Sequence, residues 1–259
     1  MIELTSIHNP RLQEIRKAAR AGRPLDDGLI AAEGPHLLED AVGGAWTVEE
    51  ILATEAAGAR FAELLANAGV EVTRVSERAL ASLATTETSQ GLIALLRPRP
   101  WTWDHIFTAV PLVVVLDAIQ DPGNAGTAIR SAEAFGATGV VFGRGCVRVS
   151  NGKLLRAAAG SLFRMPFIEN VQARELCDEM RTRGVRMYGL AADGRRSIGD
   201  VDFREGCALA VGNEGAGLSR ELVDMADAVH IPTRGVESLN AGVACSIALF
   251  EASRQRGLA

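Results

Sequence analysis

The run Leu112–Leu116, LVVVL, constrains the fold more than any other part of the chain. Its apolar residues follow one another without inside–outside alternation, so a strand built from them is covered on both faces, as in a parallel sheet flanked by helices. Further strand signals fall at Gly139–Phe142, Val185–Leu190, Cys207–Val211 and Ala228–Ile231. Helix signals lie between them at Asn124–Phe135, Lys153–Phe163, Arg174–Arg183, Ser219–Ala226 and Ala241–Arg254. This alternation predicts an α/β unit with a mostly parallel sheet. Ligands of such sheets bind outside the carboxyl ends of the strands, so the polar loop after Leu116, with Asp117, Gln120, Asp121 and Asn124, is the first place to look.

The first half reads as a smaller α/β module. Asn9-Pro10 starts a helix, with asparagine as cap and proline at the first helical position. Strand signals (LIAAEG, TVEEILAT, EVTRVS, GLIALL) then alternate with helices over GPHLLEDAVGG, Ala56–Ala68 and Glu77–Leu83. Arg97–Pro111 interrupts the pattern with Pro98, Pro100, Pro111, Trp101 and Trp103. Prolines so placed suit neither a helix nor a central strand, so the segment reads as a linker, with its tryptophans packed rather than stacked on bases. The division expected is an N-terminal α/β domain over residues 1–97, a linker over 98–110 and a second domain over 111–259.

Composition removes several classes. No apolar run reaches the roughly 18 residues that span a membrane, and MIELTSIHNP lacks a signal-peptide core, so a cytoplasmic protein is expected. The four cysteines are scattered without a C-x-x-C pair, which predicts neither a metal site nor a disulfide framework. Net charge is −5, which speaks against a generic basic coat for nucleic acid and leaves only local patches. Such patches are offered by Arg11, Arg16, Lys17, Arg20 and Arg23 on the first helix and by Arg144, Arg148, Lys153, Arg156 and Arg164. Each also reads as an ordinary solvated residue.

Three clusters carry possible chemistry. In NAGTAIR, Ala128, Ile129, Ala132 and Phe135 make the apolar stripe of a helix and Arg130 lies off it. Taken singly, Asn124 reads as a helix cap and Arg130 as a surface arginine. In AVGNEGAGLS a strand runs into Gly212, Glu214 and Gly217, a glycine loop with neither a Walker lysine nor the dinucleotide fingerprint. Its single charge is an acid, which suits a cationic or hydroxyl-bearing ligand better than a phosphate. In the third, Ile231-Pro232 ends a strand and Ser238-Leu239-Asn240 opens a helix with an unusually small face at Ala241, Gly242, Ala244, Cys245 and Ala248. Core packing or a tight homodimer seam would each explain that face.

The ordered set N-x-G-x-x-x-R, G-N-E-G-x-G-L-S and S-L-N resembles the three signature motifs of the SpoU (TrmH-type) RNA 2′-O-ribose methyltransferases, and KLLRAAAGSLFRMPF resembles the family's stretch between the first two. TSIHNPRLQEI, AAEGPHLLEDA and Ser89-Gln90-Gly91 are similar to the substrate-binding domain of the ribosomal-RNA members, a module like certain ribosomal proteins. The resemblance implies a C-terminal parallel-sheet methyltransferase domain with a trefoil knot, S-adenosylmethionine as donor, 23S ribosomal RNA as substrate, a homodimer and no metal. By position it implies donor contacts from Val211, Gly212, Gly217, Ile231 and Leu239. Catalysis falls to Arg130 with Asn124, Glu214, Ser238 and Asn240, and RNA contacts to Arg11, Arg16, Lys17 and Arg156. A transfer-RNA methylase and a non-catalytic RNA-binding or ribosome-assembly factor on the same fold are the alternatives. A guanidinium stays protonated at ordinary pH, so Arg130 is expected to stabilise the developing 2′-oxyanion rather than act as a base.

Overall fold

The structure is a computed structural model that describes residues 3–108 and 110–257; Met1, Ile2, Ala109, Leu258 and Ala259, the third of them within the expected linker, lie outside the described residues. Contacts divide the chain into two units, Met1–Pro100 with Arg148–Arg164, and Trp101–Val147 with Met165–Ala259. The expected contiguous division at 111–259 therefore differs from the grouping of contacts, because a stretch from the middle of the second domain's sequence belongs to the first unit.

The first unit holds a four-stranded sheet of β1 (Ile30–Glu33), β2 (Thr47–Ala53), β3 (Val72–Arg74) and β4 (Leu92–Arg97), ordered β1-β4-β2-β3. Leu12, Ile15 and Ala18 of the helix Pro10–Ala21 join Leu52, Leu80, Ile93 and Leu95 in its core. Asn9 caps that helix, its side chain accepting from the Arg11 and Leu12 N–H groups. The helix expected over Ala56–Ala68 is two, Glu55–Arg60 and Ala62–Ala68, broken at Phe61. The one expected over Lys153–Phe163 is also two, Gly152–Ala157 and Ser161–Arg164. Here the break has a clear cause: Ala159 and Gly160 are left-handed, at φ 45° and 78°.

The second unit is built on seven parallel strands: β5 (Leu112–Asp117), β6 (Gly139–Gly143), β7 (Phe167–Val171), β8 (Arg186–Leu190), β9 (Arg196–Ser197), β10 (Cys207–Gly212) and β11 (Asp227–His230). Their order is β7-β6-β5-β10-β8-β11-β9. Every residue of β5 and β10 is buried, as their unbroken apolar runs require. β7 and β9 were not foreseen. The polar Glu169 and left-handed Asn170 hide the first, and the second is two residues long.

The expected linker contains a helix, Trp103–Ile106, whose Ile106 is fully buried in the second unit's core. Trp103 packs against the same core and stacks with Phe107. Among the described residues no helix is long and apolar enough to cross a membrane.

Candidate active site

Strand order assembles the site. β10 lies beside β5 in parallel register, with Gly212 level with Asp117, so loops almost a hundred residues apart in sequence leave the sheet side by side. The Asp117 carboxylate, almost wholly buried, accepts from the Ser219 N–H at 2.6 Å, and Asn213 Nδ2 donates to the Ala118 carbonyl at 3.2 Å. Cys146 donates to the Leu116 carbonyl nearby, and burial pushes its thiol up to about 11, which leaves no thiolate for chemistry at neutral pH.

The glycine loop closes on itself. Asn213 and Gly217 exchange backbone hydrogen bonds at 3.1 and 2.8 Å, while Asn213 Oδ1 accepts from the Gly215 and Ala216 N–H groups. A Cβ on Gly212 would stand 2.2 Å from the Gly217 carbonyl carbon, so no side chain fits there. Gly217 itself is left-handed, at φ 69°. The fold thus brings the loop against a cavity of about 990 Å³.

All five residues expected at the donor, Val211, Gly212, Gly217, Ile231 and Leu239, line this cavity, together with Glu214, Ser238 and Asn240. Other lining residues were missed by the sequence reading: Gly189–Asp193 at the end of β8 and just beyond it, Arg195 and Arg196 at the start of β9, and Glu237 before the last helix. The signal was present, because Ala-Ala-Asp-Gly follows a parallel strand at its carboxyl end.

Asn124, Glu214 and Asn240 meet in one hydrogen-bonded chain. Asn124 Nδ2 donates to Glu214 Oε1, and Asn240 Nδ2 donates to Asn124 Oδ1 at 2.8 Å. Asn240 also caps the last helix, Ala241–Gln255, its Oδ1 accepting from the Val243 N–H at 3.2 Å. Asn124 caps nothing. The helix begins at Pro122 with Asp121 as its cap, and Asp121 Oδ1 accepts from the Asn124 N–H, leaving the Asn124 amide free to join the two other motifs. Ser238 is exposed at the cavity wall without a hydrogen bond to the described residues.

The helices Pro122–Ala134 and Ala241–Gln255 run side by side. Gly242 lies so close to the Asn124 carbonyl that a Cβ would come within 2.9 Å of it, and Ser131 and Ser246 hydroxyls bond at 2.6 Å. The small face of the last helix is therefore used inside this unit: Cys245 and Ala248 are fully buried. Arg130 points elsewhere. It is exposed, does not line the cavity and has no ion pair or hydrogen bond among the described residues. The helix pair also exposes Val243 and Phe250, at 43% and 47%, the latter edge-on to Phe135.

In the first unit the expected RNA cations separate into two groups. Arg11 is bound by Asp27 at 2.9 Å, Glu14 at 3.0 Å and Glu50 at 3.4 Å. Its charge is thus already engaged by three carboxylates. Arg16, Lys17 and Arg156 have no carboxylate partner among the described residues, although Arg156 is half-buried with an enclosed Nη1. No cluster of potential metal ligands occurs among the described residues.

Residues 111–250 match the SpoU rRNA methylase family, and residues 9–94 match the MRM3-like substrate binding domain. The chain is 32% identical over 252 residues to the 23S rRNA (guanosine(2553)-2′-O)-methyltransferase RlmP of Bacillus subtilis, covering 96% of this chain and 98% of that one. A 23S rRNA (guanosine-2′-O-)-methyltransferase RlmB of Xanthomonas campestris is 35% identical over 73% of this chain and 79% of its own. Among solved structures, the SpoU methyltransferase AviRb from Streptomyces viridochromogenes in complex with AdoMet superposes with a TM-score of 0.83 at 29% identity, covering 96% of this chain and 98% of that one. An AdoMet-bound rRNA methyltransferase from Sinorhizobium meliloti gives 0.83 at 28% identity over 98% and 97%.

Proposed function

The chain belongs to the SpoU rRNA methylase family, and from that premise we propose that it methylates the ribose 2′-hydroxyl of a nucleotide in ribosomal RNA, with 23S RNA as the substrate its relatives point to. The observation that carries the reading is the Asn124–Glu214–Asn240 chain, which ties three distant segments together at the wall of one large cavity. The methyl donor is S-adenosylmethionine, which supplies a methyl group made electrophilic by its sulfonium.

The cavity fits such a molecule in size and in chemistry. Its volume lies at the upper end of the ~300–1,000 Å³ usual for ligand sites, so there is room beside the donor for part of a nucleotide. Val211, Leu218, Ile231, Leu239 and Ala244 offer apolar surface for a purine, and Gly212 permits close backbone approach. Asp193, Glu214 and Glu237 offer negative charge to an ammonium or sulfonium. Asn240 holds the Asn124 amide, which in turn donates to Glu214 and keeps one carboxylate oxygen turned to a fixed partner and the other available.

A ribose hydroxyl is a weak nucleophile at pH 7, so its emerging negative charge must be stabilised. A charged Arg130 does this by binding the alkoxide oxygen and the neighbouring phosphate, and the proton leaves to phosphate or water. Within one chain Arg130 stands off the cavity, which supports a homodimer in which it serves the cavity of the partner. The exposed Val243 and Phe250 on the helix packed against Arg130's own helix give that pairing an apolar surface. The knotted path of the family belongs to the same proposal.

The test is to map ribosomal-RNA 2′-O-methyls in cells with and without the gene, and to restore the missing mark with purified protein and donor. Loss and restoration of one site is the expected result. An unchanged ribosomal pattern with a changed transfer-RNA site would overturn the substrate.

A further inference from the structure

The sequence stretch Arg148–Arg164 lies outside the residues that match a substrate-binding domain, yet its contacts place it in the first unit. It is fastened there at both ends. At its start, Ser150 is buried and donates to the Gly22 carbonyl at 2.8 Å, and a Cβ on Gly22 would sit 3.1 Å from Asn151 Nδ2. At its end, the Phe163 carbonyl accepts from the Ala45 N–H at 2.7 Å, Phe163 packs edge-on against Trp46, and Arg164 pairs with Asp40. Between these anchors, Gly152 and Arg156 border a small hollow together with Ala19 of the first helix.

This packing sorts the cations. Arg11 is neutralised on one flank of the first helix and Arg164 is paired. Lys17, Arg20 and Arg23 are exposed, and Arg148 and Lys153 are exposed on the inserted stretch. None of these five has a carboxylate partner among the described residues; Arg20 makes one long bond, 3.5 Å, to the Ser82 carbonyl. Gly22 touches Ser150 and Asn151 of the inserted stretch and Ala19 borders the same hollow as Gly152, so Arg20 and Arg23, their neighbours in the chain, lie close to it. Glu33 also borders the hollow, but its carboxylate is occupied by the hydroxyl and N–H groups of Thr85 and Thr86.

We propose that Arg20 and Arg23 of the first helix and Arg148 and Lys153 of the inserted stretch form one composite surface that binds the phosphate backbone of the substrate RNA. The inference rests on the RNA-methylating reading above and extends it, since the cations come from two segments that no single sequence domain contains. In a chain of net charge −5, a contiguous cluster of unpaired cations is the one arrangement that attracts a polyanion locally.

The test compares R20A/R23A, R148A/K153A and R74A, the last removing an arginine already paired with Glu55. Protein-free 23S ribosomal RNA is the probe, binding is followed over a range of salt, and donor affinity is measured separately by calorimetry. Each double variant should weaken RNA binding about tenfold or more and flatten the log–log salt dependence by roughly 1.4 to 1.8, while R74A stays at wild type and donor affinity is unchanged in all. The RNA KM should rise with little change in kcat. R148A/K153A at wild-type affinity and slope, alongside a weakened R20A/R23A, would overturn the composite surface. Wild-type protein that methylates no ribosomal RNA, while both double variants still bind RNA more weakly, would overturn the enzymatic reading and leave the surface standing.

Discussion

Asn124 shows how little one residue says alone. After Pro-Gly it could have been a cap, and only the hydrogen bonds to Glu214 and Asn240 show that Asp121 caps instead. Arg130 is the opposite case: exposed and unpaired among the described residues, it matters for what approaches it. Arg130→Ala should lower kcat by about 10²–10³, equal to roughly 3–4 kcal/mol of transition-state stabilisation, with donor affinity unchanged by calorimetry. Arg130→Lys should recover only part, since an ammonium lacks the planar fork. Glu33 bears on stability. Burial acts first to raise its carboxyl, but hydrogen bonds from Thr86 and Thr85 outweigh that and hold it below the ordinary glutamate value. The stabilisation is therefore present at neutral pH and lost as the pH falls through the depressed folded-state value. Glu33→Gln should unfold at lower denaturant than wild type at pH 7, and the two midpoints should approach one another as the pH falls through the depressed folded-state value.

At the scale of elements, two glycines govern the site. Gly212→Ala places a methyl inside the Gly217 carbonyl, so the loop must open and donor binding should be lost while far-UV circular dichroism persists. Gly242→Val drives the last helix away from the Asn124 carbonyl and should cost about 1–3 kcal/mol in chemical denaturation, with a fall in kcat as Asn240 shifts. The local signals for the elements were largely legible: β5, β10 and the helices around them follow from apolar runs and caps. β7 escaped because its middle is polar, and the break at Ala159-Gly160 escaped because alanine rarely adopts a left-handed backbone.

For the whole molecule, the proposed homodimer carries its own check. If Arg130 serves the partner's cavity, mixing inactive R130A with inactive G212A under exchange should restore activity at about a quarter of the sites, those formed by a wild-type arginine and a wild-type glycine loop. No recovery would mean that each chain acts on its own cavity. V243E/F250E should sediment as a monomer, because it places charge on the exposed apolar surface of the helix pair.

By itself the sequence determined most strands, most helices, the absence of a long apolar span and the presence of three motifs. Each of these is written in a few neighbouring residues, as a period, a cap or a glycine. Tertiary structure decided that β10 pairs with β5, that Arg148–Arg164 joins the first unit and that Arg130 faces away from the cavity. Local periodicity reports which side chains are buried but not which distant segment covers them. That choice rests on side-chain fit between elements far apart in the chain, such as Gly22 against Asn151 and Gly242 against Asn124.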